Sequence, residues 1–445
     1  MQKGSKKGQN NLVSLTEFFT DPILFASTMG SILMGLASSL VGVLVYVRKR
    51  ALIGETLSHA TYPGIVLGIA LFSGLFIESP GSFPIIVLIG AFFSGLLGLY
   101  LVHFLENRLK LNSDTALCFV LSTFLGIGVL FASRLQFSEP VWFQKVQALL
   151  YGQVATMLLI HVYVYMALAC LILFFVVVTH RALKVLNFDR DFAKIGGLQI
   201  KWLDHATVIL IVLAIVIGIR SVGVVLMAGM LIAPAATARQ FAHKFWHMFL
   251  MSSIFGIAMG FIGIVLSVNG SIWLSQKYGG RYALPAGPVI LIVATFFVII
   301  ALVFATRRGL ISRVIRRKSF QMNCLEENIL KYVYKSRKTV TFNDLKEVMR
   351  LPAPFLAIVI FMMRTKKLLK GYGLADAGAL KAKRIIRLHR LWEVYLFTCL
   401  DVQAENVHKS AEEMEHIITP ELEEELVKLL GDPKIDPHNQ EIPER

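Results

Sequence analysis

The feature that most constrains this chain is a succession of long apolar runs filling its first 305 or so residues. Hydrocarbon offers a bare peptide group no hydrogen-bond partner, so a run long enough to cross it must be helical, at about 20 residues per crossing. Such runs fall at roughly 22–47, 51–77, 83–105, 115–133, 157–179, 204–219, 222–240, 247–268 and 286–305. The two that flank Ser221-Val222-Gly223 also read as one broken helix. The pattern predicts an all-α polytopic membrane protein with about eight or nine transmembrane helices. Hydrophobic residues make up 56% of the 445, charged residues 17%, and the mean hydropathy is +0.65. Most of the charge lies after Arg307, which implies two parts suited to different solvents.

The formal charge of +16 fits nucleic-acid binding or, for the apolar part, the basic loops that membrane proteins keep in the cytoplasm. With nine spans, Arg48-Lys49-Arg50, Arg108, Lys110, the cluster Arg181/Lys184/Arg190/Lys194/Lys201, and Arg239/Lys244 share one side. That side is assigned to the cytoplasm, and the tail goes with it. Segment 78–82 has no basic residue and lies opposite, while Lys3, Lys6 and Lys7 stand against the count. Arg307, Arg308, Arg313, Arg316, Arg317 and Lys318 form a juxtamembrane stretch suited to anionic lipid headgroups. The four scattered cysteines suggest neither a disulfide framework nor a thiolate zinc site. The N-terminus lacks the compact apolar stretch of a cleaved signal peptide. No Gly-Lys dipeptide occurs, so a Walker A loop is absent and energy for transport must come from a partner.

Within the spans, Glu55 and His59 stand one helical turn apart and project from one face. Intramembrane ionisable groups face cavities or partners, and a carboxylate with an imidazole suits Mn, Fe or Zn. Two ligands are too few for such an ion; a two-fold dimer would supply four. The plainer account puts Glu55 at the headgroup level and gives His59 a hydrogen bond to a neighbouring helix. Pro234 reads as a kink and its alanine neighbours as packing residues. His161, His205, His243 and His247 read as interfacial.

Four stretches then carry a resemblance: RKRALIGETLSHATYPGI around Glu55, Asn187–Leu198, Ser221–Arg239 and Leu284-Pro-Ala-Gly-Pro288. In that order they resemble the zinc/manganese/iron ABC permease family. The resemblance implies a permease, homodimeric or paired, in a bacterial inner membrane. It would take a divalent metal from an extracytoplasmic binding protein and be driven by two cytoplasmic ATP-binding subunits. It places Glu55 and His59 on the metal path, with Glu where the family usually has Asp. It makes Asp189, Arg190, Asp191, Phe192 and Ala193 the segment that couples to the ATPase.

The tail reads as helices over Cys324–Arg337, Phe342–Met349 and Pro354–Lys367, with a turn at Arg350-Leu351-Pro352 and a wing near Lys370-Gly-Tyr-Gly373. His389 and Glu393 stand at i, i+4, and His408, Glu412, Glu415 and His416 share a helix face or its edge. Solvated charge explains the glutamates alone; the histidines favour a metal site. With the ending Asp436-Pro-His…Ile-Pro443, this tail resembles the metal-dependent repressors that include the diphtheria toxin repressor. The resemblance divides the chain into a permease (1–305), a basic linker (306–323), a winged helix-turn-helix (324–385) and a helical metal-binding and dimerisation domain (386–445). It assigns His389, Glu393, His408, Glu412, Glu415 and His416 to a regulatory metal, with Glu327 as a further ligand. Glu412, where some relatives have Cys, favours Mn or Fe(II) over Zn. The helix at the recognition position is apolar, so Arg364, Lys366, Lys367 and Lys370 would hold operator DNA by its phosphates without reading bases.

The sequence thus supports a metal permease fused to a repressor-like domain. Two rivals stand beside it: a tail that senses metal and gates the pore without touching DNA, and an ion-coupled carrier that needs no ATPase.

Overall fold

The computed structural model describes residues 12–444 except 79–82, 153, 155, 156, 225, 307, 337, 338, 401 and 404–406. Lys3, Lys6, Lys7, Arg307 and most of the 78–82 loop therefore lie outside the described residues. The chain divides into two compact units between Ser312 and Arg313.

The first unit contains α1 (Glu17–Thr20), α2 (Pro22–Val47), α3 (Leu52–Glu78), α4 (Phe83–Asn107), α5 (Ser113–Ser138), α6 (Pro140–Tyr151), α7 (Leu159–Phe188), α8 (Arg190–Ile195), α9 (Ile200–Val222), α10 (Met227–Phe241), α11 (Phe245–Tyr278) and α12 (Ala286–Phe304). Among the described residues, α2, α4, α5, α7, α9, α11 and α12 are long and apolar enough to cross a bilayer. α3 has the length for an eighth span but departs from helical geometry at Phe72. α10, expected as a full span over 222–240, has only 15 residues, short of the roughly 20 a crossing needs. It follows α9, itself long and apolar enough to cross, across Gly223.

The helices approach closely because small residues face each other. In hydrocarbon the hydrophobic effect does not drive helices together, so close van der Waals packing must. α2 is the centre: a Cβ on Gly35 would stand 2.2 Å from the Gly256 carbonyl oxygen of α11, and one on Gly42 1.8 Å from that of Leu231 on α10. Gly64 of α3 and Gly90 of α4 meet in the same way. Hydroxyls add links between helices: Ser252 donates to the Ser39 carbonyl (3.0 Å), Ser94 to that of Ala60 (2.6 Å) and Thr56 to that of Leu117 (3.2 Å). Outward positions such as Phe93, Leu97, Leu130, Phe174 and Phe296 are exposed and apolar, as a lipid-facing surface requires.

α13 (Leu310–Lys335) includes the unit boundary and most of the stretch read as a linker. The second unit continues with α14 (Phe342–Met349), α15 (Ala353–Thr365), the antiparallel pair β1 (Leu369–Lys370) and β2 (Gly373–Leu374), α16 (Asp376–Leu400), α17 (Val407–Met414) and α18 (Pro420–Leu430). α14 and α15 meet at 113°, a helix-turn-helix geometry. Together they are apolar, but they bury Leu345, Leu356, Val359, Ile360 and Met363 against Ile329 and Leu330 of α13. Those side chains form the core of the second unit. Gly371 takes φ +69° at the tip of the β1–β2 wing. The last residues fold back on α16: the Asp436 carboxylate accepts from the His438 and Gln440 amides, and Arg387 donates to the Pro443 carbonyl.

Candidate metal-binding sites

The membrane pair lies at the start of α3. Glu55 is in the first turn, where the helix dipole favours a carboxylate. His59 is one turn on, 8% exposed, and its Nδ1 is buried without a hydrogen-bond partner. Interhelical bonding therefore does not explain this nitrogen. Pro63, one further turn on, has no amide to donate to the His59 carbonyl, so the helical ladder lacks a rung beside the imidazole. The two side chains share a face, and within one chain they are two donors.

The expected coupling segment forms the short helix α8 at the end of α7. Asp189 caps it by accepting from the Phe192 amide (2.9 Å). Ala193 is fully buried among Leu186, Ile200 and Leu203, while Phe192 and Ile195 are exposed. The segment is thus anchored on one face and exposes Phe192 and Ile195 among charged neighbours. Asp204 ties it down: it pairs with Arg190 (2.5 Å) and with Arg48 at the end of α2 (3.1 Å), and Arg48 also donates to Asn187 (3.2 Å).

The tail brings most of its predicted ligands into one cluster. His389 and Glu393 come from α16, His408 from α17, Glu415 and His416 from the turn after α17, and Glu327 from α13. The ligand atoms of His389, Glu393 and His408 lie within 4.8 Å of one another. Glu393 meets His389 Nε2 at 3.1 Å and is also paired with His408 Nδ1. His389 Nδ1 lies 2.6 Å from Glu415, and His416 Nδ1 lies 2.7 Å from Glu327. His389 thus touches a carboxylate through each ring nitrogen, and His416 leans on Glu327. Glu412 is exposed and makes none of these contacts.

Burial opposes charge throughout this cluster, but the pairing outweighs it. Burial alone would lower His389, yet hydrogen bonds to Glu393 and Glu415 raise it. Burial alone would raise Glu393, Glu415 and Glu327, yet the imidazoles hold all three down, with lysines assisting at Glu415 and Glu327. The arrangement keeps carboxylates ionised beside imidazoles, as a divalent cation requires. A metal entering at His389 would have to displace its proton.

Two participants were not among the predicted ligands. Lys331 of α13 places its ammonium against Glu415, at 2.9 and 2.7 Å from the two oxygens. Its sequence signal is its position one turn after Glu327, on the same helix face. His438 stacks on His408 with ring centroids 4.4 Å apart. Among the proposed phosphate contacts, Arg364 donates to the Gly371 carbonyl and lies over the Tyr372 ring, and Lys366 pairs with buried Glu326 at 2.5 Å. Lys367 and Lys370 are exposed beside the wing.

Comparison with known proteins agrees with this two-part construction. Residues 20–305 match the ABC 3 transport family, and residues 375–444 match the metal binding and dimerisation domain of the iron dependent repressors. A probable metal transport system membrane protein of Chlamydia trachomatis is 34% identical over 97% of this chain and 98% of its own. The manganese transport system membrane protein MntC of Bacillus subtilis is 28% identical over 82% of each chain. In fold, PsaBC of Streptococcus pneumoniae, solved in complex with Fab, aligns with a TM-score of 0.54 at 24% identity, over 68% of this chain and 98% of that one. The chain belongs to the ABC 3 transport family, as a multi-pass permease subunit that carries a repressor-type metal-binding domain behind its membrane body.

Proposed function

We propose that this chain imports a divalent transition-metal ion, manganese, iron or zinc, through the path that Glu55 and His59 line. The observation that carries the reading is the pair itself: two metal-type donors on one face of α3, with the buried His59 Nδ1 unpartnered, inside an ABC 3 body. A second permease copy completes the ligand set, and an extracytoplasmic metal-binding protein delivers the ion across a bacterial inner membrane. Cytoplasmic ATP-binding subunits dock on the exposed Phe192 and Ile195 of α8, and Asp204 carries their motion to α2 and α9. The basic start of α13, with Leu310, Val314 and Ile315 exposed, rests on anionic lipid. Reconstituted vesicles test this: metal uptake should require both the ATP-binding subunits and ATP. Uptake that runs on an ion gradient without them would establish the carrier reading instead.

The tail is read as a cytoplasmic sensor of the same class of metal, with Mn or Fe(II) favoured by its oxygen and nitrogen donors. A specific observation supports its acting without DNA. The outward positions of α15 are Pro354, Phe355, Ala357, Ile358, Phe361, Arg364 and Thr365, of which only the last two carry polar groups, and both of these donate to backbone carbonyls of the same unit. Salt-dependent binding of the full chain to operator-length DNA, with and without Mn2+, decides between regulator and gate.

A further inference from the structure

The tail cluster offers more ligand atoms than one ion takes, and a cation belonging to the chain already stands among them. The Lys331 ammonium lies 2.9 Å from Glu415 Oε1, 2.7 Å from Glu415 Oε2 and 3.3 Å from His389 Nδ1. Its side chain is 12% exposed and that of Glu415 is 1% exposed. A carboxylate gripped at both oxygens by a largely shielded ammonium has no free oxygen facing that position. The rest of this half is neutralised in the same way: Lys381 pairs with Glu327 at 3.1 Å, and His416 stands between Glu327 (2.7 Å) and Glu415 (3.7 Å). The other half differs. Glu393 is 1% exposed and meets two imidazoles, with no lysine or arginine ion pair to it among the described residues. His408 there is 55% exposed, so this half opens to solvent.

We propose that Lys331 is a tethered cation that fills the place of a second divalent ion among Glu327, Glu415 and His416, leaving one exchangeable metal position at His389, Glu393 and His408. The inference rests on reading the tail as a metal sensor. A lysine suits the substitution because its ammonium is a compact point charge with three donors on a flexible stem. An ammonium and a metal ion cannot share the space: a metal bound to Glu415 would stand about 2.0–2.6 Å from its oxygens, inside the volume Nζ holds. The pairing also gives the buried Glu415 a counter-charge from the chain itself.

The test uses the full chain in detergent, with Mn2+ alone as the probe and bound Mn2+ counted by equilibrium dialysis. Lys331→Met should bind one more Mn2+ per chain than the native protein, and Lys331→Arg should keep the native count. Lys331→Met leaves Glu415 buried without a cation, so its metal-free form melts earlier. Its thermal stabilisation by Mn2+ should then exceed that of the native chain; a Met variant that folds only with Mn2+ also supports the proposal. Equal counts and equal Mn2+-induced stabilisation in native and Lys331→Met overturn it. His389→Ala and His408→Ala report separately on the underlying reading: each should lower the native count by one. If neither does, the tail is not a metal sensor at this cluster, whatever Lys331 does.

Discussion

The two sets of metal-type side chains in this chain sit in opposite conditions. In the membrane body, Glu55 and His59 form a sparse pair, and the His59 Nδ1 has no hydrogen-bond partner. In the tail, Glu327, Glu393 and Glu415 are each met by at least one imidazole or ammonium. The difference is what their proposed tasks, an import path and a sensor, would demand. A path must let its ion go, so it holds few ligands and leaves coordination to be completed elsewhere. A sensor must hold its ligands in register before the ion arrives, so its charges are balanced internally.

The sharpest way to break this contrast is to remove the sparse pair. Glu55→Ala or His59→Ala should abolish metal uptake while leaving the protein in the membrane, as measured by radiometal uptake and immunoblot. Uptake unchanged in either variant would remove the path assignment. The packing beneath the pair gives the next effect. Gly42→Val puts a side chain where the Leu231 carbonyl oxygen stands 1.8 Å from a Cβ, so helices α2 and α10 must separate. Overpacking of this kind costs about 1–3 kcal/mol or more, and the yield of folded protein on gel filtration should fall sharply. A third measurement asks whether the regions are separable. His389→Ala should lose tail metal; uptake that changes with it marks the tail as a gate, and unchanged uptake marks the two regions as independent. The smallest effect is a pH dependence of the metal-free tail. His389 is raised above 6.5, so its contribution is full below that value and is lost as pH climbs through the folded one. Glu393 and Glu415 are lowered below 4.5, so theirs is present above that value and is lost as pH falls through the folded ones. Thermal melts without metal should therefore peak between these limits and decline on both sides.

Much of this was legible in the sequence for a physical reason: hydrocarbon forces helices, and helices fix which residues share a face. Seven of the nine expected spans emerged as long crossing helices because their apolar runs leave no other solution. The span expected over 222–240 did not, because hydropathy registers Val222–Leu226 as apolar and is blind to a backbone that turns at Gly223 (φ +95°). In the tail, i, i+4 spacing placed His389 with Glu393, and it was sound because one helix carries both. Glu327 comes from a distant helix, and the structure brings it to His416. Glu412 shows the limit of face arguments: α17 is short and ends at Met414, so Glu415 and His416 reach inward from the turn while Glu412 stays outside. Lys331 was passed over because a lysine among ligands looks like a solvated charge until its burial is known.

Pro63 has one more consequence. Glu55 precedes the missing rung of α3, and His59 stands at its start, because the His59 carbonyl is the acceptor that Pro63 leaves without a donor. Bending of α3 at Pro63 leaves their mutual spacing intact, so the pair moves as a rigid two-pronged unit. What bending would change is the separation between that unit and the parts of α3 beyond Pro63. On the proposed metal path, a swing of α3 about this point would open or close the coordination sphere, with neither donor having to change its rotamer.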